Sequence, residues 1–205
     1  MANANGSAYA LTLMCPIKNG HCSGQSYSAL TRQLLQQLEQ HAESPLAKVP
    51  NTFFARFYIL NDVFYEGSPA KEDHLKSQYL IFAADFHGDL NDYLQGFWLN
   101  ASVEAKLIWQ HCVVFDEVGD SASFITYIKK CQVKTTFYFN GSTDESLAEQ
   151  LKALYLKQKF SEFAIENQGA EPQKLQQAFL EFVEKTQPFN NTNPTWLPGQ
   201  NALNI

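Results

Sequence analysis

Two runs of nine residues constrain this fold more than anything else in the chain: Thr52–Leu60 (TFFARFYIL) and 78–86 (QYLIFAADF). Read as strands, side chains alternate between faces. In the first run Phe53, Ala55, Phe57 and Ile59 point one way, and Phe54, Arg56, Tyr58 and Leu60 the other. In the second, Leu80, Phe82, Ala84 and Phe86 oppose Tyr79, Ile81, Ala83 and Asp85. A strand with one solvated face alternates apolar and polar residues. Here both faces are largely apolar, and one face of each run carries a single charge. That pattern predicts a sheet covered on both sides.

The flanking chain supplies the rest of a small α+β unit. Residues 1–7 are small and polar and are expected to fray. An alternating run at 8–15, closed by Pro16, predicts a first strand. Leu30, Leu34 and Leu38 at helical spacing predict a helix over 27–43, with Ser26 as its N-cap. A long polar loop spans 61–77 and includes the charged run Lys71-Glu72-Asp73-His74. A helix over 89–99 follows, capped by Asp89 with Asp92 in its first turn, both favourable against the helix dipole. Further helical pieces are expected at 103–112 and from Ser121 or Ser123 to Lys130. A fourth strand is expected at 133–139. The order is that of a ferredoxin-like βαββαβ antiparallel sheet with helices 27–43 and 89–99 on one face, plus extra C-terminal helices. The expected divisions are an α+β domain at 8–140, a helical extension at 141–185 and an extended tail at 186–205.

A chain of 205 residues buries roughly 70% of its unfolded surface, enough to fold without a metal or disulfide staple. The 15 basic and 21 acidic residues give a net charge of −6, which provides no electrostatic footprint for nucleic acid or an anionic membrane. The N-terminus lacks the basic and apolar regions of a secretory signal, and no apolar run approaches the ~20 residues of a membrane helix. The expected location is cytoplasmic, where Cys15, Cys22, Cys112 and Cys131 are reduced thiols.

Four stretches carry a resemblance: 10–18, ending Met14-Cys15-Pro16-Ile17-Lys18; 52–57, Thr52-Phe53-Phe54-Ala55-Arg56-Phe57; 80–90, ending Asp85-Phe86-His87-Gly88-Asp89-Leu90; and Ile108-Trp109-Gln110-His111-Cys112. Together they resemble a family of uncharacterised bacterial domains in the ferredoxin-like dimeric α+β-barrel superfamily, which also holds dye-decolourising peroxidases, chlorite dismutases and small monooxygenases. The resemblance implies the fold and either a homodimer stacked sheet to sheet or two such units in one chain. Haem is a cofactor of some superfamily members. Residues 86–90 lack the Gly-x-x-Asp-Gly spacing of the peroxidases, so no haem ligand is carried over.

The candidate binding residues are Arg56, Tyr58, Asp85, His87 and His111. A guanidinium inside an apolar strand is costly to bury unless paired, and Asp85 is its candidate partner if the hairpin register joins them. The bland reading is an ion pair at an interface, or an arginine reaching the sheet edge. Capping accounts for Asp89 and Asp92, and burial for Trp109 and Cys112. Cys15, His21 and Cys22 do not have zinc-site spacing, so no metal site is assigned. No phosphate-binding loop, dinucleotide fingerprint, zinc-protease or nucleophile-elbow motif is present. The expected function is that of a soluble dimeric binding or interaction module with a small-molecule pocket on the sheet face. The alternative is an oxidative enzyme of peroxidase or monooxygenase type, haem-dependent in one version. The C-terminal helices and the tail with Phe189 and Trp196 are the rival cover for the open sheet face.

Overall fold

The computed structural model describes residues 3–63, 67–68, 74–142 and 144–200. Most of the predicted charged run, Lys71 to Asp73, lies outside them. The chain divides between Asp144 and Glu145 into two compact units.

The first unit is built on a four-stranded antiparallel sheet. Its strands are β1 (Ala4–Asn5), β2 (Ala8–Pro16), β5 (Thr52–Leu60) and β6 (Tyr79–His87), in the order β1-β2-β6-β5. A separate hairpin joins β3 (His21–Cys22) to β4 (Gln25–Ser26) through Ser23 and Gly24, both at positive φ, as a tight two-residue hairpin turn requires. Helix α1 (Tyr27–Gln36) follows, and Ser26 caps it by accepting from the Ala29 amide. The predicted helix to residue 43 is thus too long. Gln37 and Leu38 tighten into i−3 bonds, His41 turns the chain at positive φ, and short 3-10 turns at His41–Glu43 and Pro45–Lys48 lead to β5.

The two helical pieces expected at 89–99 and 103–112 are one kinked helix, α2 (Leu90–Trp109). Asp89 caps it, and Ala101 leaves helical geometry at φ −142°, which bends it. Helix α3 (Ser121–Cys131) starts on a capping box between Asp120 and Ser123. Leu11, Leu13 and Cys15 of β2 and Leu80, Phe82, Ala84 and Phe86 of β6 form the inner sheet face, packed with Leu94, Phe97, Ile108, Trp109 and Phe124 of α2 and α3. Trp109 is the hub: its ring meets Phe57, Phe82, Phe97, Phe115 and Phe124.

Three expectations fail for identifiable reasons. The strand expected at 133–139 is irregular chain. The edge of β2 it would join is shared among three segments. β1 bonds at Ala10, Val133 donates to the Thr12 carbonyl, and Val113 donates to the Pro16 carbonyl. Residues 3–7 are not frayed: Asn3 is buried, and its amide donates to the Ala10 carbonyl and to Thr135 Oγ1. Gly6, at φ +62°, lies where an added Cβ would sit 2.7 Å from Asp144 Oδ1, which accepts from the Ser7 amide. Finally, a bulge between Thr52 and Phe54 turns Phe53 away from the core. Thr52 takes the inward place and meets the Tyr93 hydroxyl at 3.2 Å.

The second unit pairs α4 (Leu147–Glu166), with a Ser146–Glu149 capping box, and α5 (Pro172–Thr186). Its tail is pinned rather than loose. Lys152 is buried, and its ammonium donates to the carbonyls of Thr186 and Pro194 at 2.7 Å each, while Trp196 packs edge-on against Tyr155. Burial lowers the Lys152 pKa. Among the described residues no helix is long and apolar enough to cross a membrane.

Candidate functional site

The outer face of the sheet gathers four of the five candidate residues. Register sets them in rows across β5, β6 and β2: Phe54–Asp85–Ala10, Arg56–Ala83–Thr12, Tyr58–Ile81–Met14 and Leu60–Tyr79–Pro16. Arg56 therefore faces Ala83, with Asp85 one step away on the diagonal. Arg56 is exposed, and among the described residues it forms no ion pair with Asp85. The pairing expected between them is absent because the register offsets them by two residues. Around Arg56, Phe54 is 75% exposed and Tyr58 46%. Ile81, in the next row, is buried outside the core cluster.

Asp85 has a different neighbour. The Tyr138 hydroxyl lies near its carboxylate, and the Tyr138 pKa rises through burial first and the nearby Asp85 charge second. Tyr138 belongs to the irregular run that replaces the expected fourth strand. Ala10, the register partner of Asp85 on β2, is small, which leaves room for the phenol to cross toward Asp85. The same run holds Phe137 and Phe139, 81% and 71% exposed. Sequence reading placed all three in a strand. Their signal was the run of three aromatics, Phe137-Tyr138-Phe139, between Thr136 and Asn140, a composition that a strand and an extended strap share.

His87 lies at the far end of the outer face, opposite Ala8. Its Nε2–H donates to the Asp144 carbonyl at 3.3 Å, and Phe53 meets its ring edge-on. These contacts fix the ring and leave it remote from Arg56. His111 is not on this face. Its ring lies tilted against Tyr27, and its carbonyl accepts from the Lys18 amide just past the other end of β2. Burial, and then the Lys18 charge, lower its pKa from the ordinary value near 6.5. At ~3.3 Å per residue along β2, His87 and His111 stand about 30 Å apart. They cannot hold one metal or pass one proton. Among the described residues no group of three or more His, Cys, Asp or Glu side chains is arranged to hold a metal ion.

Chemically, then, the outer face offers a guanidinium with no ion pair among the described residues, a carboxylate near a phenol, and exposed aromatic rings. Aromatic and arginine side chains are the groups enriched at interface centres. No nucleophile–base contact is formed among its residues. The comparisons with known proteins add no relative: no protein-family model, no curated protein and no solved structure matches this chain.

Proposed function

We propose that the first unit is a ferredoxin-like binding module that acts as a homodimer through its outer sheet face. β2, α1, β5, β6 and α2 follow the βαββα order of such a fold, with β1 and the single Leu13–Gln132 bridge standing where the fourth strand would pair. The observation that carries the reading is the exposed cluster of Phe54, Tyr58 and Arg56, the last without an ion pair among the described residues. Water-facing aromatic surface on a sheet is costly, and a second copy stacked across a two-fold axis would remove it from water and give Arg56 a carboxylate to meet. A small anionic or carbonyl ligand held between the faces would use the same guanidinium.

The oxidative reading gains nothing from the geometry, because Arg56, His87 and His111 do not converge. The test of the module reading is the double variant Phe54→Asp/Tyr58→Asp. It is expected to sediment as a monomer with an unchanged near-ultraviolet circular dichroism spectrum, while the parent sediments as a dimer. A parent and variant of equal mass would overturn the proposal.

A further inference from the structure

Three cysteines distant in sequence come together at the end of the inner sheet face. Two backbone bridges bring them there. Gln132 bridges Leu13 and Cys112 bridges Ile17, so the segments carrying Cys131 and Cys112 flank Cys15 on the same edge of β2. Val133 N–H to the Thr12 carbonyl and Val113 N–H to the Pro16 carbonyl, both 2.8 Å, lock that arrangement.

The three thiols are not equivalent. Cys15 and Cys112 are fully buried, whereas Cys131 is half-buried and lines a pocket of about 360 Å³. Pro16, Val113, Val114 and Val118 give that pocket apolar walls, and Lys130 and Glu117 supply its charges. Val114 is held at φ +66°, a conformation β-branched residues rarely accept.

Two buried donors lie against the same sulfurs. The Tyr127 hydroxyl belongs to a residue only 7% exposed, and Trp109 Nε1 to one with no exposure; neither has a well-formed hydrogen bond among the described residues. Trp109 acts on Cys15, and Tyr127 on Cys112 and Cys131. A neutral thiol is a weak acceptor, and a thiolate is a strong one. Two orphaned donors around a thiol cluster are therefore costly to the reduced neutral state and favourable to an anionic sulfur.

The electrostatics sort the thiols in one direction. The neighbouring Cys15 thiol, then the nearby Tyr127 hydroxyl and the Lys130 charge, bring Cys131 down to about 7 against the opposing effect of burial. The C-terminal end of α3 also works against the anion there, so the side-chain donors outweigh both. The neighbouring Cys131 sulfur and burial push Cys15 far up, and burial raises Cys112 to about 12. An accessible, readily ionised sulfur beside a buried, protonated one is the asymmetry that thiol–disulfide exchange requires.

We propose that Cys131 and Cys15 form a redox-active thiol pair, with Cys131 the attacking sulfur in the pocket and Cys15 the resolving sulfur behind it, and that the pocket takes a small-molecule disulfide with an apolar body. In the first step the Cys131 thiolate attacks one sulfur of R–S–S–R. The external S–S bond breaks, a Cys131–S–S–R bond forms, and RS⁻ leaves to take a proton from water. In the second step Cys15 attacks Cys131 Sγ, the Cys131–S–S–R bond breaks, and the departing sulfur takes the Cys15 proton and leaves as RSH. Two protein thiols are oxidised to one disulfide, and one external disulfide is reduced to two thiols. Cys112 takes no part, and the site is separate from the outer face proposed for dimerisation.

The test uses the full chain with the exposed Cys22 replaced, Cys22→Ser, and 5,5′-dithiobis(2-nitrobenzoate) as the probe disulfide. The native C22S chain is expected to release two nitrothiolates for each Cys131 that reacts, to retain no adduct, and to give a peptide map linking Cys15 to Cys131. Adding Cys15→Ala should stop the reaction at a stable Cys131 adduct with one nitrothiolate released. Adding Cys131→Ser should slow release by roughly tenfold or more, since the attacking sulfur is lost. A retained adduct on Cys131 in the C22S chain, a Cys112 linkage, or undiminished release from C131S would each overturn the proposal. The peptide map of the C22S chain decides the matter even where the core substitution at Cys15 disturbs folding.

Discussion

The two faces of the sheet share a strand pattern and differ in everything else. On the inner face, Phe82 and Phe86 are buried under α2 and α3, and each ring contacts others within a single cluster. On the outer face, Phe54 and Tyr58 stand exposed beside an exposed arginine. Apolar character alone cannot tell the faces apart. The charges do, because Arg56 and Asp85 both fall on the outer side, where a guanidinium keeps its hydration. The inner face stabilises the fold, and the outer face is a surface the fold presents.

That contrast sets the size of substitution effects. Trp109→Ala removes the ring shared by five aromatic neighbours, and it is expected to cost about 3–5 kcal/mol in denaturant unfolding. A cost below about 1 kcal/mol would mean the inner face is not the stabilising one. Ser26→Ala removes the side-chain cap of α1 and is expected to cost about 1 kcal/mol. Phe54→Ala or Arg56→Ala, measured at a dilution where chains are separate, should change stability by no more than about 0.5 kcal/mol. A loss of several kcal/mol at Arg56 would reveal a buried partner that the register denies it.

The smallest expected effect is a pH dependence at His111. Its folded pKa lies below the ordinary value near 6.5, through burial first and Lys18 second. The unfolded chain then binds the proton more readily, so stability rises with pH across that interval. It should be fully present above about pH 6.5 and fall as the pH drops below that. His111→Phe keeps the ring against Tyr27 and should flatten the slope. A slope of the same size in that variant would assign it to another group.

How much of this was legible beforehand differs from element to element. β2, β5 and β6 were readable to within a residue, because each is an alternating run closed by a breaker or a turn. Asp89 and Ser26 declared their caps. The fourth strand was misread because 133–139 has strand composition, and composition does not say that the β2 edge is already occupied. Phe53 was misplaced because a bulge shifts register by one residue, and alternation alone hides it. The Arg56–Asp85 pair failed for a related reason: being on one face does not make two residues opposite. The Cys15–Cys112–Cys131 cluster left almost no trace in sequence. Its members are spread over 117 positions, from 15 to 131, and only two isolated bridges bring them together.

The central claim is that the outer face is made to be covered by a second copy. The most direct measurement is the molar mass of the native chain by light scattering coupled to size exclusion, over a range of micromolar concentrations. The account predicts about twice the chain mass of 23.2 kDa, falling toward the single-chain value on dilution and for Phe54→Asp/Tyr58→Asp. A constant mass of one chain at every concentration would contradict it.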